Sequence, residues 1–205
     1  MSSLLLRGFA LGFAVAASPG PIFFLCLRRS LLRGRLYGLV SGLGVATADG
    51  IYAAVASVGL AAVSTAAIGF RRPLALIGGA VLVVLAVRIL LERRQDPSEV
   101  APATGSGLAW AYASTLGLTI TNPATIISFA ALAATLGLGA GAGFVRPAAL
   151  VAGVLLGSAA WWCLLALAAS SLRGRLTPTF IRRISTFSGL AIAILGMLAI
   201  YSAFS

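Results

Sequence analysis

The chain has 205 residues, 60% hydrophobic and only 9% charged, against roughly 45–50% apolar and about 25% charged in soluble domains, which excludes a soluble globular fold. Fifteen arginines, no lysine, four acids and no histidine give a formal net charge of +11. The arginines fall in short clusters between long apolar runs, so anionic lipid headgroups and topology account for them and nucleic acid does not.

Runs interrupted by arginine or by proline-glycine breaks predict six spans, over about 4–27, 36–65, 73–91, 108–136, 147–172 and 184–204; about 20 apolar residues cross a bilayer. The expected fold is an all-α integral membrane protein with no separate soluble domain. The first run, with Arg7 and an AVAAS stretch, has the look of a signal peptide, but Pro19 directly after Ser18 disfavours cleavage there and the apolar run continues to Leu27. Were that run re-entrant or removed, five spans would remain, with one terminus inside.

Three alternate connections hold most of the arginines: Arg28, Arg29, Arg33 and Arg35; Arg88, Arg93 and Arg94; Arg173, Arg175, Arg182 and Arg183. The other side receives Arg7, Arg71, Arg72 and Arg146. Arginine-rich loops stay in the cytoplasm, so both termini are expected outside. The segment 94–107 carries turn formers, Asp96 and Glu99 without periodicity, and reads as a solvated loop between two halves, about 1–93 and 108–205.

The halves are weakly similar. Ser18-Pro19-Gly20-Pro21 interrupts the first run and Thr121-Asn122-Pro123 the fourth. Ser and Asn are good N-caps and Pro suits the first helical position, so each motif predicts one helix ending and another beginning inside an apolar run. The third and sixth runs align without gaps, GAVLVVLAVRIL from Gly79 over GLAIAILGMLAI from Gly189. Gly34, Gly38, Gly42 and Gly44 in the second region have Gly153 and Gly157 as counterparts in the fifth. Three spans per copy make the second copy inverted, with spans 1 and 4 broken at their proline motifs.

A helix broken in lipid leaves backbone groups that protein, water or ligand must satisfy, so breaks persist where they line a cavity. Free N–H groups at Ile22, Phe23, Ala124 and Thr125 would face an anion from positive helix ends, and the preceding carbonyls would face a cation. An amino-acid zwitterion presents both charges. Ser18, Pro19, Gly20, Pro21, Thr47, Thr121, Asn122 and Pro123 are the candidate substrate-binding residues. Asp49 is the one acid deep in a span, about 20 Å from the inner face at 1.5 Å per residue. An ionised carboxylate there is costly, which makes Asp49 a candidate proton carrier or ammonium anchor. Ser18, Thr47 and Asn122 are its expected hydrogen-bonding partners.

The remaining features are plainer. Cys26 and Cys163 stand alone in different runs, without redox or zinc spacing. Gly137, Gly139, Gly141 and Gly143 form no phosphate loop, having neither a preceding strand nor a following Lys-Ser/Thr, and read as an external loop. Trp110, Trp161, Trp162 and Tyr201 read as interfacial or packing aromatics, with the Trp161-Trp162 pair as an alternative cavity lining. The glycine ladders favour close helix packing and leave a homodimer open. Without histidine, or a serine beside a lysine or second acid in a span, no catalytic set is present, and neither cofactor nor metal site is expected.

The order of these motifs resembles the LysE/RhtB family of bacterial amino-acid exporters: Ser18–Pro21, Arg29-Ser30 before Gly34 and Gly38, Gly42-x-Gly44 leading to Asp49, and Asn122-Pro123 with Phe129 after it. The resemblance implies a multi-pass inner-membrane secondary exporter, driven by the proton gradient or membrane potential and working by alternating access. Ile22 and Ala124 stand where that family often has a polar residue and a lysine, which favours a neutral or hydrophobic amino acid. The alternative is export of a metal or other cation, for which a single buried Asp and no His are few ligands.

Overall fold

The computed structural model describes residues 2–57, 71–91, 104–122, 125, 126, 128, 129, 145–172 and 177–204. These contain α1 (Ser2–Ala16), α2 (Pro21–Arg33), α3 (Arg35–Ser57), α4 (Arg71–Leu91), α5 (Gly105–Ile120), α6 (Val145–Leu172) and α7 (Pro178–Ser202). Thr125, Ile126, Ser128 and Phe129 are also helical, and there is no strand among the described residues. Three stretches, Arg35–Ser57, Ala148–Leu172 and Arg183–Ser202, are long and apolar enough to cross a membrane. Ala75–Leu91 is a shorter apolar helix, and α1 and α2 pass the same test only as a bent pair.

The bend between α1 and α2 is 82°, and its cause is local. The last turn of α1 tightens as the Ser18 N–H bonds the Val15 carbonyl at 3.2 Å. Pro19 and Pro21 then have no N–H to continue the ladder. Pro21 opens α2 at a position where proline is at home.

The arginine-rich stretch 28–35 is not the loop that its charge predicts. Helix α2 runs through Arg33, and the turn to α3 is the single residue Gly34, whose φ of 86° suits only glycine. Arg28 and Arg29 are buried. Arg28 Nε donates to Ser185 Oγ on α7 at 2.9 Å. Arg29 donates to Ser41 Oγ on α3 and to the Ala111 carbonyl on α5, each at 3.0 Å, and to Ser114 Oγ at 2.8 Å. Buried acceptors, not solvent, hold these two guanidinium groups, so the helix continues through them. Similarly, α7 starts at Pro178 rather than near 184, because Thr177 caps it by accepting from the Phe180 N–H at 3.3 Å. Thr104 caps α5 in the same way, accepting from Gly107 N–H at 3.2 Å. The remainder of the expected loop 94–107, Arg93, Arg94, Arg173, Arg175 and the glycines at 137–143 lie outside the described residues.

Packing follows the small residues. Helix α1 lies against α6, α3 against both α5 and α6, α4 against α7, and α2 touches α3, α6 and α7. A Cβ on Gly8 or Gly12 would collide with backbone at 150–154, and one on Gly153 or Gly157 with backbone at 5–13. On α3, Gly42 accommodates the Trp162 side chain and Gly44 accommodates Thr115 and the Tyr112 carbonyl. Gly8, Gly12, Gly153 and Gly157 therefore bring α1 and α6 into backbone contact, while Gly38 and Gly42 on α3 make room for side chains.

Gly157→Ala should cost about 1–3 kcal/mol by overpacking, whereas Gly117→Ala, where a Cβ meets nothing within 4 Å, should be neutral or gain about 0.5–1 kcal/mol of helix propensity. Thermal unfolding of the detergent-purified proteins compares them. Equal melting temperatures for the two variants would show that the α1–α6 seam does not need its glycines.

Candidate functional site

The close approach of α3 and α6 buries Asp49. The residue is 2% exposed, and its carboxylate oxygen Oδ2 accepts a hydrogen bond from Ser158 Oγ at 2.6 Å. This contact links the second apolar region to the fifth. The expected partner Thr47 lies elsewhere: two residues from Asp49 on a helix that turns about 100° per residue, it points to another side. There it donates to the Leu43 carbonyl at 2.8 Å and accepts from Tyr112 Oη at 3.0 Å.

Asp49 opens on a cavity of about 150 Å³. Ser18, Pro19, Gly20 and Pro21 line one part of it, together with Ile22 and Phe23 from the first turn of α2. Among the described residues no side chain caps that turn, so the Ile22 and Phe23 N–H groups lack the acceptor that an N-cap side chain would supply. Gly20, the N-cap residue, is extended, and a Cβ there would meet nothing within 4 Å.

Asn122 brings the second motif to the same cavity. Helix α5 ends with the Thr121 N–H bonded to the Gly117 carbonyl at 3.0 Å and the Asn122 N–H to the Thr119 carbonyl at 3.2 Å. The Asn122 carbonyl then accepts from the Ile126 N–H at 3.2 Å, the first bond of a new helical turn. Its side-chain amide donates to Thr125 Oγ1 at 3.0 Å. The Ile120 carbonyl, left over at the end of α5, is met by the Tyr52 hydroxyl, whose ring stacks on Phe129 at 5.7 Å. Tyr52 sits three residues after Asp49 on α3, so one helix serves both the acid and the second chain break.

Six predicted residues thus line one cavity: Ser18, Pro19, Gly20, Pro21, Asp49 and Asn122. Thr47 and Thr121 are not among its lining; the Thr121 hydroxyl bonds back to the Gly117 carbonyl at 2.9 Å. Pro123 and Ala124 lie outside the described residues. Of Thr125 the sequence singled out only the backbone N–H; it did not single out the Thr125 hydroxyl, Ser128, Thr119 or Ser158, and it favoured packing over cavity lining for Trp162. A signal for two of them was present, since Asn122, Thr125 and Ser128 recur every three residues and share a helical face. For Ser158 the signal was weak: one hydroxyl beside Gly157 in an apolar helix. Among the described residues, no three His, Cys, Asp or Glu side chains come together.

The sequence pattern of the LysE type translocator family matches residues 13–203. The chain belongs to this family. It is also similar to the chemotactic transduction protein ChpE of Pseudomonas aeruginosa, with 29% identity over 207 residues covering 96% of each chain. No solved structure matches at a significant level. The match to LysE type translocators contains both broken stretches, Asp49, Ser158 and Trp162, and together with the long apolar helices it makes the chain a multi-pass membrane translocator.

Ser158→Ala removes the hydroxyl donor to a buried carboxylate, and should lower stability by about 1.5–3 kcal/mol, as loss of a hydrogen bond to a charged group does. Asp49→Asn combined with Ser158→Ala should cost less than the two single changes added together. A double-mutant cycle on unfolding in detergent reads this, and strict additivity would mean that the 2.6 Å contact carries no coupling.

Proposed function

We propose that this LysE type translocator is a secondary exporter of amino acids or close analogues, neutral or hydrophobic ones foremost, moving them out of the cytoplasm across the inner membrane in exchange for protons. The observation that carries this reading is the convergence of both chain breaks and Asp49 on one cavity. The uncapped first turn of α2 offers N–H groups and a positive helix end to a carboxylate. Asp49 offers a negative charge to an ammonium. Val15, Ala16, Ile22, Phe23 and Val45 give the wall an apolar character, which suits an uncharged side chain.

Exchange follows from Asp49 serving two ligands. A carboxylate holding a proton is neutral and has no charge for an ammonium, and one holding the ammonium is not protonated. Loading substrate on one side and a proton on the other converts that exclusion into antiport.

The pairing of helices supports an inverted repeat that rocks by alternating access. Under exchange of spans 1 and 4, 2 and 5, and 3 and 6, the α1–α6 contact becomes the α5–α3 contact, while the α3–α6 and α4–α7 contacts map onto themselves; all four are present. The aligned glycines obey the same exchange. A Cβ on Gly79 would meet Ile200 and Gly196, and one on Gly189 would meet Ile89 and Leu90.

The test is efflux of a panel of labelled amino acids from proteoliposomes under an imposed pH gradient, for the native protein and Asp49→Asn. The native protein should move neutral amino acids and the variant should lose at least about tenfold in rate, the effect of removing one charged contact. Unchanged efflux in the variant would make Asp49 structural. No amino-acid efflux, with metal tolerance altered in cells carrying the protein, would shift the substrate to a cation.

A further inference from the structure

Trp162 stands out among the cavity residues because a donor on it has nowhere to bond. It lies on α6, is 4% exposed, and lines the cavity, yet its indole N–H has no hydrogen-bond acceptor among the described residues. Buried polar groups are nearly always paired, and an exception calls for an explanation. Ser57, Trp161 and Ser188 also carry a buried polar atom without a partner among the described residues, but of the four only Trp162 lines the cavity.

Its position supplies the explanation. Trp162 is four residues after Ser158, so the two share one face of α6, with about 5–6 Å between neighbours one turn apart. Ser158 holds Asp49. Four residues before Asp49 on α3 is Val45, which also lines the cavity. Gly42, one turn earlier again, is the position where a Cβ would strike the Trp162 side chain, so the lack of a side chain on α3 lets the indole occupy this place. The cavity thus has on its wall Asp49 with its anionic acceptor, Trp162 with its unmet N–H donor, and the uncapped first turn of α2 with Ile22 and Phe23.

We propose that Trp162 is a specificity-determining residue of the substrate site: its indole N–H, with the first turn of α2, binds the carboxylate of an α-amino acid whose ammonium faces Asp49. The assignment rests on reading the cavity as the amino-acid site. It adds a requirement for the carboxylate, so that an amine of the same shape without that group gains nothing from Trp162.

Leucine efflux from proteoliposomes, and its inhibition by isopentylamine, which is leucine without its carboxyl group, test this in the native protein and in Trp162→Phe. A second variant replaces Trp162 by benzothienylalanine, which keeps the size of the bicyclic ring and exchanges N–H for sulfur. Trp161→Phe is the control, because Trp161 packs edge-on against Phe13 at 5.3 Å and does not line the cavity. Both Trp162 variants should raise KM for leucine about tenfold or more, the loss expected for a hydrogen bond to a charged group, while isopentylamine inhibits as it does the native protein. Unchanged KM in the benzothienyl variant overturns the assignment, as does equal weakening of leucine and isopentylamine. A native protein that neither binds nor moves leucine or any other amino acid overturns the substrate reading itself and the role of Trp162 with it.

Discussion

Everything in this molecule turns on backbone groups that the chain leaves without helical partners in the middle of apolar sequence. In hydrocarbon such groups have no water to turn to, so each interruption has to be met from within. The first is met only in part: Pro19 and Pro21 remove two donors, the Ser18 N–H finds Val15, and the N–H groups opening α2 have no side-chain cap. The second is met more fully, with Tyr52 on the Ile120 carbonyl and the Asn122 amide on Thr125. The two breaks are thus unequal. The first leaves uncapped donors beside the cavity, and the second places Asn122 and Thr125 on its wall.

Close packing makes this arrangement possible. Asp49 reaches Ser158 because α3 and α6 touch, and α6 is at the same time held in backbone contact with α1 through Gly8, Gly12, Gly153 and Gly157. The glycines thereby fix the acid, its hydroxyl partner and the end of α1 relative to one another. In a membrane, where burying apolar surface gives helices little reason to associate, such contact is a main source of cohesion. It also explains how so small a protein can hold a cavity with a buried acid on its wall.

Much of this was legible in the sequence, and the residues that were not share a physical reason. Pro19, Pro21 and Asn122 announce chain breaks because proline cannot donate and asparagine caps; these are local properties. Asp49 is conspicuous because a lone acid in an apolar run has no ordinary place. Ser158 and Trp162 are different. Their significance depends on which helix lies opposite, and neither a serine nor a tryptophan in a membrane helix reveals that by itself. Arg28 and Arg29 mislead for the complementary reason: arginine beside a span normally marks a boundary, and only the tertiary contacts with Ser185, Ser41 and Ser114 show the helix continuing past them.

Those two arginines also bear on how the cavity changes its exposure. Arg29 lies eight residues beyond Pro21, about 12 Å along α2 at 1.5 Å per residue. At one end α2 presents its N–H groups to the cavity; towards the other it is fastened to α3, α5 and α7 by buried hydrogen bonds. A motion that swings α2 alone would strand guanidinium donors in an apolar interior, at a cost of several kcal/mol for each unmet charge. The α2 segment therefore moves with the helices to which its arginines bind, or else those bonds are exchanged for others as it moves. Among the described residues, helix α1 carries no such fastening. Its described buried residues are Gly8, Gly12 and Ala16, and its close partner is α6, so the 82° bend at Ser18–Pro21 separates a segment held by glycine contacts from one held by charged hydrogen bonds. A hinge belongs at such a junction, and this one sits on the wall of the cavity.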